Sequence, residues 1–193
     1  DNPRAARAAG IGMVYQHFIL VPSLTAAENL VIAGENPPQV IDWKREREKL
    51  AAFIERMPLK VPLDTPVAQM AAGEKQKLEI LKQLYLDLRF LILDEPTSVL
   101  TPGEADEILG LVRDLTSAGE ITALMITHKF REVQAFAQGV TVLRQGRLAG
   151  SGRVADLTVD DMVRMMIGET ALPSSWSAAT PAISKATGRT RRR

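Results

Sequence analysis

The chain has 193 residues, 46% hydrophobic and 24% charged, with 24 Lys and Arg against 23 Asp and Glu for a formal net charge of +1. A folded domain of this length buries roughly 70% of its unfolded surface, and so even a charge balance gives no general reason to expect nucleic acid or an anionic membrane as a partner. With no cysteine there is neither a disulfide framework nor a thiolate metal site, only His17 and His128 offer imidazole, and no apolar run or N-terminal signal stretch reaches membrane-spanning length.

In chain order, GIGMVYQHF predicts a short buried strand over Ile11 to Tyr15 that leaves a polar pair at its end. LTAAENLVIAG carries Thr25 followed three residues later by Glu28, a capping-box start for a helix that Gly34 and Pro37-Pro38 stop. WKREREKLAAFIERM places Trp43, Leu50, Phe53, Ile54 and Met57 on one side at helical spacing. After the Pro-punctuated PLKVPLDTP, the segment 73–87 repeats apolar residues at Leu78, Leu81, Leu84 and Tyr85, a one-sided helix that leads into RFLILD.

Phe90 to Leu93 is an unbroken apolar run, which predicts a strand covered on both faces, as in a parallel sheet. A helix over 101–119 starts with Thr101 at the cap, Pro102 at the first position and Glu104 at the third, and turns Ile108, Leu109, Leu111, Val112 and Leu115 inward. ITALMITH is the next strand and KFREVQAFAQ a helix; 139–152 reads as a hairpin turning at Gln145-Gly146, and 157–169 as a helix capped by Thr158 and Asp161. Strand and helix in alternation predict an α/β sheet. From Leu172 the chain turns small, polar and aperiodic, the composition of a disordered tail, and its Arg189, Arg191, Arg192 and Arg193 read as solvated.

An acidic residue at the carboxyl end of an apolar strand can hold Mg²⁺, while a neighbouring carboxylate orients an attacking water. Asp94 and Glu95 suit these roles in that order, although Asp-Glu-Pro also ends many strands with no chemistry attached. In FLILDEPTSVLTP, followed by MITH and preceded by AAGEKQKLEIL, the sequence resembles the ATP-binding subunits of ABC transporters from about Gly10 to Glu169. Residues 90 to 95 resemble that family's Walker B strand and catalytic glutamate, Gln16 its Q-loop glutamine and His128 its switch histidine; MAAGE (70–74) stands at the signature motif and Ser98 to Thr101 at the D-loop. Two stretches, GIGMVYQHFILVPSLTAAENLVIAG and DEPTSVLTPGEADEI, are most similar to subunits that energise import of nucleosides or simple sugars.

The resemblance implies a partial ABC ATPase domain over 1–170, an N-terminally truncated P-loop NTPase core with a mainly parallel sheet, in which a helical subdomain takes about 20–88 and core strands and helices 89–170, followed by a tail over 171–193. It implies ATP and Mg²⁺ as ligands, Glu95 and His128 as catalytic residues, and Gln16 and Asp94 at the nucleotide and its metal. It implies that Ala71, Ala72, Gly73 and Glu74 face ATP on a second ATP-binding domain in a head-to-tail dimer. Transmembrane permease subunits are the implied partners, and the inner face of the cell membrane the implied place, with the chain cytoplasmic and peripheral. The alternative to a ligand role is a solvated strand-end Gln16 and a structural His128; His17 reads as a surface or packing residue.

The signature departs from LSGGQ: Ala71 replaces the serine whose hydroxyl reaches the γ-phosphate, and Ala72 the first glycine. Thr101 replaces the D-loop aspartate. No G-x-x-x-x-G-K-[ST] string, the loop that cradles β- and γ-phosphates, occurs in these residues. By resemblance it belongs upstream of Asp1, and a first residue that is not Met suggests a processed chain or a piece of a longer one. Alone, such a chain is expected to bind ATP feebly. A non-transport ABC-type ATPase and a non-catalytic module that presents MAAGE to a partner's ATP are the competing readings.

Overall fold

Three short strands, Ile11–Val14 (β1), Phe90–Asp94 (β2) and Thr122–Ile126 (β3), pair in the order β1-β2-β3, all parallel. The computed structural model describes residues 2–34, 40–57 and 59–168, so the tail from Leu172 and Pro37-Pro38 lie outside the described residues. The chain divides into two compact units, Asp1–Ala137 and Gln138–Arg193.

The first unit also contains helices Pro3–Ala8 (α1), Ala26–Ile32 (α2), Trp43–Arg56 (α3), Ala72–Tyr85 (α4), Pro102–Ser117 (α5) and Phe130–Phe136 (α6). Two of the expected capping boxes form here: Thr25 and Glu28 exchange hydrogen bonds at the start of α2, and Thr101 and Glu104 do so at α5. Each side chain satisfies amides that a helix start leaves without partners.

One core runs through this unit. Val14, Leu91 and Leu93 from the sheet are fully buried with Leu30 of α2, Leu50 of α3, Leu78, Ile80 and Leu81 of α4 and Ile108 of α5. In α3, Leu50 and Phe53 are buried as the spacing predicts, and the Phe53 ring meets Tyr85 edge-on at 5.3 Å. Trp43 is an exception: it stands in the first turn of α3 and is exposed.

The sheet is not covered on both faces by the described residues. Registers Ile11↔Phe90↔Thr122 and Met13↔Ile92↔Leu124 put these side chains on one face, and Leu91 and Leu93 on the other. The face of Leu91 and Leu93 is packed by helices, whereas Phe90, Leu124 and Ile126 are 37%, 51% and 49% exposed. An apolar run reveals what a strand would gain from cover; it does not reveal whether covering residues are within reach.

The second unit is a two-stranded antiparallel hairpin, Gly139–Arg144 (β4) and Arg147–Arg153 (β5), with a helix, Val159–Ile167 (α7). Gln145 at φ 51° and Gly146 at φ 74° form the turn, a pair of left-handed residues that matches the twist of adjoining strands. The Thr158 and Asp161 capping box at α7 is also formed.

Candidate functional site

The strand ends bring three separated residues together. Gln16 follows β1, Glu95 follows β2 and His128 follows β3, and parallel pairing with Val14 opposite Leu93 and Asp94 opposite Ile126 places all three at the carboxyl edge of the sheet. His128 Nδ1 lies 3.0 Å from Glu95 Oε1, and Gln16 Nε2 donates to Glu95 Oε2 at 3.4 Å. The His128 and Glu95 side chains are 65% and 29% exposed, so the pair is open to a ligand.

Glu95 adopts φ 45°, a left-handed conformation that non-glycine residues take at a cost and that collects at functional sites. Two main-chain bonds fix it there: its amide donates to the Ile126 carbonyl at 2.9 Å, and its carbonyl accepts from the Ser98 amide at 3.1 Å. Asp94, half-buried, is the last residue of β2 and immediately precedes it. Among the described residues, no group of three or more His, Cys, Asp or Glu is arranged to hold a metal ion by itself.

Residues Ala71 to Glu74 stand elsewhere, at the first turn of α4. Ala71 has no side-chain oxygen to cap the helix, so only the return arm of a capping box exists, Glu74 Oε2 accepting from the Ala71 amide at 2.8 Å. Gly73 is buried against the Glu104 carboxylate of α5, and a Cβ there would collide with it. The Thr101 amide and hydroxyl, with a further contribution from the Gly73 amide, hold the Glu104 carboxyl below the ordinary carboxylate range. No hydrogen bond among the described residues joins this turn to the Glu95 group.

His17 is exposed, as expected of a surface residue. Sequence reasoning missed the buried polar groups behind the site. Glu79, 1% exposed, accepts from the Ile19 amide at 2.6 Å, three residues past Gln16. Thr97, two residues after Glu95, and Glu132, four after His128, are both buried and bond to one another at 2.7 Å. The only trace of the first is a charged Glu79 and Lys82 on the apolar side of a helix, three residues apart; the second joins residues 35 positions apart, with no local signal.

The parallel pairing sets Asp94, Glu95, Gln16 and His128 along the carboxyl edge of the sheet, where open α/β folds bind their ligands. Residues 1–98 match the ABC transporter family, and the chain belongs to it. It is 37% identical over 169 residues to the nucleoside import ATP-binding protein NupA of Lactococcus lactis subsp. cremoris, covering 87% of this chain and 33% of that protein. With the ribose import ATP-binding protein RbsA of Chelativorans sp. it shares 37% identity over 168 residues, 87% of this chain and 33% of that one. The dimeric structure of MJ0796, a bacterial ABC transporter cassette, superposes with a TM-score of 0.65 at 21% identity, over 80% of this chain and 68% of that one, which shows the shared fold. The chain spans about a third of the length of the curated relatives it matches.

Proposed function

We propose that this chain forms part of the ATP-binding and ATP-hydrolysing machinery of an ABC importer for nucleosides or simple sugars. The observation that carries the reading is Glu95, tied to both Gln16 and His128 at the ends of three parallel strands. The solute class rests on the names of the two relatives, which import a nucleoside and ribose.

Glu95 would orient the water that attacks the γ-phosphate and take up its proton, since a carboxylate accepts where a developing hydroxide needs support. His128 would hydrogen-bond the transferred group and stabilise the charge that grows on it. Asp94 and Gln16 suit a hard cation: one carboxylate ends β2, and the Gln16 amide, with Nε2 committed to Glu95, keeps its oxygen for another partner. Mg²⁺ keeps several waters and phosphate oxygens and needs few protein ligands, and when bound it supplies positive charge against the phosphates.

Residues Ala71 to Glu74 would face ATP on a second ATP-binding domain in a head-to-tail dimer; the cassette above is itself dimeric. Without the serine hydroxyl that contact loses one charge-assisted hydrogen bond, roughly 1.5–3 kcal/mol, while the amides at the start of α4 remain. The helical subdomain at about 20–88 would dock on transmembrane permease subunits, with the chain peripheral on the cytoplasmic face. No helix among the described residues is long and apolar enough to cross a membrane.

The first experiment reads the coding DNA upstream of the Asp1 codon and expresses the protein from its complete frame. An in-frame G-x-x-x-x-G-K-[ST] with Mg-ATP turnover that falls by about a hundredfold or more in Glu95→Gln supports the reading. A start codon close to Asp1, or turnover indifferent to Glu95→Gln, overturns it.

A further inference from the structure

Close in sequence to the exposed pair of Glu95 and His128 is a buried one, Thr97 and Glu132. The Glu132 side chain, in the first turn of α6, is 4% exposed, against 29% for Glu95 and 65% for His128. Its Oε1 accepts the Thr97 hydroxyl at 2.7 Å and its Oε2 the Thr127 hydroxyl at 3.3 Å. Lys129 Nζ lies 3.2 Å from Glu132 Oε1 and donates to both oxygens of Thr97, the carbonyl at 2.9 Å and the hydroxyl at 3.0 Å. The Lys129 amide in turn donates to the Thr127 hydroxyl at 3.1 Å.

The connectivity has a direction. Thr97 is two residues past Glu95, in the short loop that holds Glu95 at its left-handed φ of 45°. Thr127 and Lys129 flank His128 on either side. A single buried carboxylate therefore ties the loop of Glu95 to the loop of His128, and a lysine ties it a second time through a main-chain carbonyl. A buried charge left without partners would be costly, and here every oxygen of Glu132 has one.

From this geometry we infer that Thr97, Lys129 and Glu132 are positioning residues that set the Glu95 to His128 separation and keep Glu95 in its left-handed conformation. The inference rests on the catalytic reading of Glu95 for its consequence and on the hydrogen bonds alone for its structure. The clamp touches neither the phosphates nor the attacking water; it acts through the two groups that would.

Thr97 supplies the decisive comparison, because it is 1% exposed and both its methyl and hydroxyl are buried. Thr97→Val keeps the shape and removes the hydroxyl; Thr97→Ser keeps the hydroxyl and removes the methyl. In the protein expressed from its complete frame, Thr97→Val should raise amide exchange at Glu95 and Ser98 by about ten- to a hundredfold, leaving Leu93 in the β2 ladder unchanged. It should lower kcat for Mg-ATP with KM little altered, and Thr97→Ser should recover both readouts. Lys129→Met, which empties no core position, should shift the same two amides and serves if Thr97→Val does not fold. Equal or better behaviour of Val than Ser, or no change at Glu95 and Ser98 in Lys129→Met, overturns the clamp. Local exchange that responds while turnover ignores Glu95→Gln would retain the clamp and reject the catalytic reading.

Discussion

Glu79 and Lys82 take hold of a single residue from both sides. Glu79 Oε1 accepts the Ile19 amide at 2.6 Å while Lys82 Nζ donates to the Ile19 carbonyl at 3.4 Å, and the two side chains form an ion pair at 2.6 Å with 2% and 10% exposure. They come from α4, whose first turn carries Ala71 to Glu74, and Ile19 lies three residues after Gln16. One helix thus carries Ala71 to Glu74 at its tip and the loop of Gln16 on its flank.

Removing one member of a buried pair strands the other charge, at about 3–5 kcal/mol. Glu79→Ala should lower stability by that amount in urea titrations, since it leaves Lys82 without its counter-charge and the Ile19 amide without an acceptor. The double substitution Glu79→Leu with Lys82→Met should cost less than the sum of the single ones, leaving mainly an unpaired amide worth about 1–3 kcal/mol. Strict additivity would show that the ion pair is not what holds Ile19.

Gly73 tests the contact between α4 and α5. A Cβ at this buried position would meet the Glu104 carboxylate, which can give way only by leaving its Thr101 hydrogen bonds, so Gly73→Ala should destabilise by about 0.5–2 kcal/mol through the loosened cap. Adding Glu104→Ala should relieve the collision, and a double-mutant cycle by thermal melting should show a coupling above about 0.5 kcal/mol. A coupling of zero would mean that Glu104 swings aside freely and that Gly73 is needed for other reasons.

Three capping carboxyls predict the response to acid. The Thr25 amide and hydroxyl hold Glu28 below its ordinary range, those of Thr101 do the same for Glu104, and the Thr158 hydroxyl and amide for Asp161. A carboxyl that binds its proton less tightly when folded adds stability above its unfolded pKa and loses it as pH falls through the folded one. Stability should therefore decline from the ordinary carboxylate range downward, and Thr25→Ala or Thr101→Ala should be less stable at neutral pH with a flatter decline in acid. Parallel curves for variant and parent would remove the caps from the account.

These caps were the most legible part of the sequence, because each is a pattern within four residues. The site was legible to the extent that strand ends are: Gln16, Glu95 and His128 each terminate an apolar run, and parallel pairing then places them on one edge. What could not be read was the support. Glu132 reaches back to Thr97, and Glu79 to Ile19, across 35 and 60 residues, and a pairing of that range leaves no periodicity behind. Nor does the sequence indicate that Glu95 is left-handed, since Glu has no preference for that region.

Phe90, Leu124 and Ile126 lie on the same face of β2 and β3 at 37%, 51% and 49% exposure, and Ile19 beyond β1 is 58% exposed. Scattered apolar residues are ordinary on a protein surface, but a contiguous patch across paired strands favours association. Both β1 and β3 are edges of the three-stranded sheet, each with an unpaired row of amides and carbonyls among the described strands. The 193-residue chain in isolation should therefore associate as its concentration rises, by sedimentation velocity. Leu124→Lys with Ile126→Thr should shift it toward monomer without loss of helix signal, because neither side chain belongs to the buried core. A chain that stays monomeric at high concentration, with a single sharp melt, would mean that this face is covered in solution.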